Sequence, residues 1–316
     1  QTIERWREAK SEGDATAVDA LDGLIHVHLW ALGVLGDRRA TPMMIHFLSI
    51  DDVDLREAAL EALSDLADPE SYDAVVPHLN DADWSIRSNA AEALGTIGGR
   101  RAVDPLIAAT RDPDEIVRGD AAASLGQIGD RRAVEALIAL LDDSDNWVRG
   151  MSVGALGRLG DARAGDPLVR FLDHADEDLR DSAALALGML GDDRGIDQLA
   201  AQLEGGWAFL NAVIALQAID NEASRRLLRD ASARISHPKD AALVERAAEL
   251  PASRLIREIL KDPSHRRFHS AVELAGEIND PKLLDPLDRI ASEHPSPDFR
   301  IKARHAADRI RRLNAQ

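Results

Sequence analysis

His265, His269 and Glu273 stand four residues apart in a stretch of helical pattern, so they would share one helix face. Two imidazoles and a carboxylate on one face are a donor set for zinc or iron. No fourth ligand or supporting group accompanies them, so a solvated polar face is the competing reading. His26 and His28 lie two apart and face different ways. The chain has no cysteine, which excludes thiolate nucleophiles, disulfides and cysteine-ligated zinc. No GxSxG, P-loop, dinucleotide fingerprint or HExxH occurs. Catalysis is not indicated and no cofactor is implied.

A second constellation points to binding. Residues 146–160 read NWVRGMSVGALGRLG, where Val148, Met151, Val153, Ala155, Leu156 and Leu159 keep helical spacing although Gly150, Gly154 and Gly157 interrupt it. Each interior glycine costs about 0.5–1 kcal/mol against alanine. Such a cost needs a return, either a close approach by a partner or relief of crowding between neighbouring helices.

The elements that would position these residues follow from composition and period. Aromatics make up only 3% of the 316 residues, and alanine and leucine fill most apolar positions, which predicts an all-α protein packed through small side chains. Arg56, Arg87, Arg118, Arg149 and Arg180 recur every 31 residues, with Ile25 in the equivalent place one period before. From just before each arginine the apolar residues keep a helical period; a glycine–aspartate break then ends that helix and a second amphipathic helix follows. Each unit is therefore a helical hairpin, and a constant period of hairpins is the mark of a solenoid.

The quoted pattern, an acidic turn, VR, AAxALG, GD and RAxxxL, resembles the HEAT-like repeats, in particular their short phycobilisome-lyase-type subclass. The match is strongest over residues 51–203; Phe209 and Phe268 take the arginine position farther on, 239–261 loses the pattern, and Arg300 restores it in the last helix. The resemblance implies a right-handed α-solenoid of about nine hairpins, with N-terminal capping helices over 1–21, a regular array over 22–221, and degenerate repeats with a basic capping helix over 222–316. It also implies that Asp81, Asp112 and Asp143 form a structural ladder with Arg56, Arg87, Arg118, Arg149 and Arg180, while Ile50 and His174 break the acid row.

In such arrays the first helix of each hairpin lines a concave face. Counting from the arginine, positions +3, +4, +7 and +10 are apolar and pack inward, whereas −2, +1, +2 and +5 point away. These outward columns hold Asp54, Glu57 and Glu61 in the second unit and turn apolar later, with Ile116, Gly119, Ala123, Trp147, Gly150, Met151, Gly154, Leu185, Trp207, Leu210 and Ile214. Large apolar residues bordering glycine and alanine read as a groove for a protein or peptide. Crowding of adjacent helices is the alternative use for the glycines.

Charge qualifies the partner. The net charge is −18, carried by 38 Asp and 18 Glu against 33 Arg and only 5 Lys, a surface resembling that of salt-in halophiles and so suggesting a halophilic archaeon. Residues 1–221 sum to −22 and residues 222–316 to +4. Nucleic acid is therefore an unlikely ligand except at the C-terminal end, through HRRFH and FRIKARHAADRIRRL. HEAT-like deoxyhypusine hydroxylases carry His-Glu dipeptides at their iron centre, and this chain has none. With no unbroken run of 18 apolar residues, no membrane span is expected. The expectation is a monomeric, cytoplasmic, non-catalytic adaptor, the alternative classes being a metal-dependent or lyase-like modifying enzyme and a nucleic-acid binder.

Overall fold

The computed structural model describes residues 2–203, 209–235, 237–265, 267–278 and 280–314. Among these, every regular element is a helix, arranged as the successive hairpins of an α-solenoid. First helices begin at Val53, Trp84, Glu115, Asn146 and Glu177, each 31 residues after the last.

Local chemistry sets the hairpin. Asp52, Asp83, Asp145 and Asp176 cap first helices by accepting backbone N–H bonds, for example from Trp147 to Asp145 at 2.8 Å. The helix then runs about four turns and ends on a left-handed residue, which glycine supplies at Gly36, Gly129, Gly160 and Gly191. Ala67 adopts the same conformation at φ 52°, where a side chain costs about 1–2 kcal/mol. The following aspartate caps a 3-10 turn: Asp37, Asp130, Asp161 and Asp192 each accept the N–H two residues on. In each case the side chain of that same residue, Arg39, Arg132, Arg163 or Arg194, returns to the aspartate. The bend that starts the short second helix is thereby held.

Packing follows the predicted columns. In Trp84–Ile97 the buried residues are Ile86, Ala90, Ala91, Ala93, Leu94, Gly95, Thr96 and Ile97. Each fully buried Ile or Leu contributes about 1.5–3 kcal/mol. Neighbouring first helices cross where one carries glycine and the next alanine, which lets backbones come close.

The chain divides into two compact units, Gln1–Ser124 and Leu125–Gln316, with the division inside the helix Glu115–Ile128. In the second unit the last hairpins return to its first. Arg309 Nη2 donates to the Gly126 carbonyl at 3.2 Å, and Arg158 Nε to Glu277 at 2.7 Å.

Among the described residues one helix, Ala15–Leu35, is long and apolar enough by length and composition to cross a membrane, although Asp19, Asp22, His26 and His28 interrupt its apolar run. Here Ile25, Leu29 and Val34 are core residues, and Asp22 accepts the Trp6 indole N–H at 2.5 Å.

Candidate interaction surfaces

The recurring arginines are built into the turns. Arg87 donates through Nη1 to the Asp81 carbonyl of its own turn at 3.1 Å, and through Nε and Nη2 to both oxygens of Asp112 in the next unit, at 2.8 and 2.9 Å. Arg56 bonds the Ile50 carbonyl and lies 3.6 Å from Asp81. The bidentate pair raises the Arg87 pKa and, after a desolvation that opposes it, leaves the Asp112 carboxyl below its usual range. Arg118, Arg149 and Arg180 repeat the bond to their own turn, on Asp112, Asp143 and His174 carbonyls.

Histidine can do half of the aspartate's work. Asp81, Asp112 and Asp143 accept the N–H two residues ahead, and His174 and His294 accept it through Nδ1 at 3.1 Å. The turn survives the exchange, but an imidazole offers no carboxylate to the preceding unit's arginine. His265 accepts the Arg267 N–H in the same way. The helix that would carry His265, His269 and Glu273 begins only at Phe268, so His265 lies in the turn before it. Glu273 pairs instead with His269 at 3.0 Å and Lys302 at 3.2 Å. Among the described residues no group of three or more His, Asp or Glu could hold a metal ion.

The glycines of 146–160 separate into two kinds. A Cβ on Gly157 would lie 2.9 Å from Ala186 Cα, as one on Gly126 would lie 2.8 Å from Ala155 Cα and one on Gly188 2.6 Å from Ala215 Cβ. These glycines serve helix crossing. A Cβ on Gly150 would meet only Leu179 Cδ2 at 3.9 Å, and one on Gly154 only Arg158 Nη1 at 3.8 Å. Crowding does not account for Gly150 and Gly154.

The expected groove needs correction. Ile116, 38% exposed, and Trp147, 41% exposed, do stand at the surface in their respective units, and Met151, Gly150, Gly154 and Leu185 are half-buried. Gly119, however, is buried, and Leu210 and Ile214 are 0% and 5% exposed. The cause is that Phe209–Ile219 is apolar almost all round and is packed on several sides, by Glu177–Met189, Ile196–Gln202, Glu222–Ser232, Pro238–Ala247 and Phe268–Ile278. A cleft of about 790 Å³ remains beside it, bordered by Ile214, Gln217, Arg229 and Glu277. Trp207 lies outside the described residues.

What the columns missed is at the beginning of the chain. Positions +2 and +5 of the first unit are Val27 and Trp30, and Trp30 is 53% exposed. With His26 they line a trough of about 200 Å³ with Ala58, Glu61, Ala62 and Asp65 of Val53–Leu66. Gly33 makes it possible, since a Cβ there would lie 3.0 Å from the Ala62 carbonyl. The outward columns already contained this signal, had they been read from the unit whose arginine is replaced by Ile25.

Farther along the compact unit Gln1–Ser124 the first helices carry acids. Glu92 is exposed by area, yet protein on its flanks withholds water; this desolvation, then the charges of Asp120, Glu61 and Asp65, pushes its carboxyl up. Burial also raises Asp120, against the hydrogen bond that Ser88 donates to it.

The basic C-terminal helix Pro297–Asn314 is largely satisfied internally. Arg300 bonds the His294 carbonyl, Lys302 pairs with Glu273 and Asp298, Arg309 is buried, and Arg311 pairs with Asp288 and Asp308. Arg267 of the HRRFH segment is buried against Asp240 at 2.9 Å and stacks 4.3 Å over Phe209.

Comparison with known proteins agrees with this architecture. The HEAT-repeat sequence profile matches residues 15–83, 72–153 and 134–209, together more than half of the chain. The chain belongs to the HEAT-repeat family. Its HEAT fold is similar to the complex of CpcE and CpcF of phycocyanin lyase from Nostoc sp. PCC7120, at 24% identity and a TM-score of 0.53 over 73% of this chain and 92% of that one. An engineered protein matches at 16% identity and 0.47 over 98% and 99%, and Escherichia coli YibA at 19% and 0.43 over 85% and 92%. No curated protein sequence matches it.

Proposed function

We propose that this HEAT-repeat protein is a non-catalytic scaffold that holds a protein segment along its first helices, and that the first unit takes a segment with apolar and basic side chains. The observation that carries this is the Trp30 trough: an exposed indole and Val27 over a floor of Ala58 and Ala62, walled by Glu61 and Asp65. Soluble proteins rarely leave such apolar surface uncovered without use. The neighbouring acids Glu61, Asp65 and Glu92 add a reason for a basic partner, because a cation placed among them would offset their like charges. Trp30 can also face a cation, worth about 0.5–1 kcal/mol at an exposed site.

Within the compact unit Leu125–Gln316, Trp147, Met151, Gly150 and Gly154 form a further stretch of the same kind, with room above the glycines. We read the aspartate-rich surface as that of a salt-in halophile. Strong salt screens the acidic wall more than the apolar contacts, so Trp30 and Val27 would set affinity and the acids would exclude wrong partners.

Calorimetric titration with an amphipathic arginine–leucine peptide tests the reading. Wild type binds, Trp30→Ala and Glu61→Lys each weaken binding about tenfold, and Gly150→Arg with Gly154→Arg leaves this peptide's affinity unchanged. Equal affinity for wild type and Glu61→Lys sinks the proposal.

A further inference from the structure

Most described cations of this acidic protein have a carboxylate or carbonyl partner; several do not, and four of those border one cleft. Of the five lysines, Lys10, Lys239 and Lys302 form ion pairs. Lys261 and Lys282 form none with a described residue, and both line one cleft of about 470 Å³ in the second unit. Arg257 and Arg289 line it too, again without an ion pair among the described residues. The acids in the lining are Asp285 and Glu293, both exposed. Asp280 nearby is held low first by Ser253 and the Lys282 N–H, and only then by the charges of Lys282 and Arg257. The cations are thus left over after local pairing.

We infer that this cleft binds an acidic peptide segment of a partner protein, an interaction beyond the Trp30 trough and of the opposite sign. The lining decides the class. Between the cations lie Leu260, Ile290, Pro263, Pro286 and Pro295, an apolar floor suited to aliphatic side chains. Among the described residues the lining has no Phe, Tyr or Trp, and the His294 ring is already stacked on Phe268 at 5.6 Å and set edge-on to Phe299 at 4.7 Å. Single-stranded nucleic acid would need free rings for its bases, and a duplex would need a longer cationic track. A glutamate- or aspartate-rich segment with leucines satisfies both the charge and the floor. The volume lies within the range of about 300–1,000 Å³ typical of binding clefts.

The test uses the full chain and a fluorescein-labelled peptide of alternating glutamate and leucine, read by anisotropy at low and high salt. Wild type binds; Lys261→Glu with Lys282→Glu, two exposed positions whose reversal breaks no ion pair, binds about tenfold or more weakly, and high salt narrows the gap. Arg38→Glu with Arg39→Glu, two paired positions outside the cleft, changes the net charge by the same amount and keeps the affinity. Circular dichroism confirms that each variant is folded. Equal binding by wild type and the double variant overturns the inference. So does a DNA oligonucleotide that binds as tightly through the same lysines. Self-association of wild type that the double variant abolishes also overturns it, since the occupant would then be a second copy.

Discussion

Replacing Gly150 and Gly157 by alanine, one at a time, should move stability in opposite directions, although the two residues lie in one helix two turns apart. Alanine gains about 0.8–1 kcal/mol over glycine in a helix interior. At Gly150 that gain stands almost alone, because the new methyl meets only the end of Leu179 at 3.9 Å, an ordinary contact. At Gly157 the methyl would lie 2.9 Å from Ala186 Cα and 3.0 Å from its Cβ. The first of these is backbone and cannot swing aside, so the helices Asn146–Leu159 and Glu177–Met189 must part. Overpacking of this kind costs about 1–3 kcal/mol, which cancels or exceeds the propensity gain. The two variants should therefore differ by about 1–3 kcal/mol, or roughly 3–10 °C in melting temperature, measured by circular dichroism at fixed salt. Gly154→Ala, whose methyl would meet Arg158 Nη1 at 3.8 Å, should follow Gly150→Ala. If Gly157→Ala melts as high as Gly150→Ala, close approach is not what Gly157 is for, and the reading of the whole glycine–alanine crossing fails with it.

Two further predictions concern charge. Asp240→Asn leaves Arg267 buried without its carboxylate and should cost about 3–5 kcal/mol, a fall on the order of ten degrees; Arg267→Met combined with Asp240→Leu should recover much of it, and a double variant no better than the single would show that burial of the charge is not the cost. Asp161 is held down to about 2 by the Arg163 side chain and then by the Arg163 N–H, so its contribution is fully present above the unfolded value of 3.8 and disappears as pH falls through about 2. The melting difference between wild type and Asp161→Ala should accordingly be largest near neutrality and close on acidification; a difference that persists in strong acid would refute the linkage.

Much of this molecule is legible in one dimension because each unit repeats the same local chemistry. The 31-residue period, the aspartate caps, the left-handed glycines and the inward columns depend on residues within a few positions of one another, and the helix starts at Val53, Trp84, Glu115, Asn146 and Glu177 follow directly. The Arg87–Asp112 pair is also readable, since it joins neighbours at a constant offset.

Surfaces were less legible, for a physical reason. Whether an outward column meets water depends on what the chain brings over it from far away, and no period records that. Leu210 and Ile214 occupy outward positions yet are buried, because later helices pack on Phe209–Ile219 from several sides. The basic C-terminal run could have served as a docking end, but folding spends it on Asp288, Glu273 and the Gly126 carbonyl, and leaves Arg257, Lys261, Lys282 and Arg289 around one cleft without an ion pair among the described residues. Sequence alone therefore determined the repeat, its caps and its ladder, which are local and periodic. Tertiary structure decided which faces remain open and which charges remain unpaired, because both depend on contacts between residues tens to hundreds of positions apart.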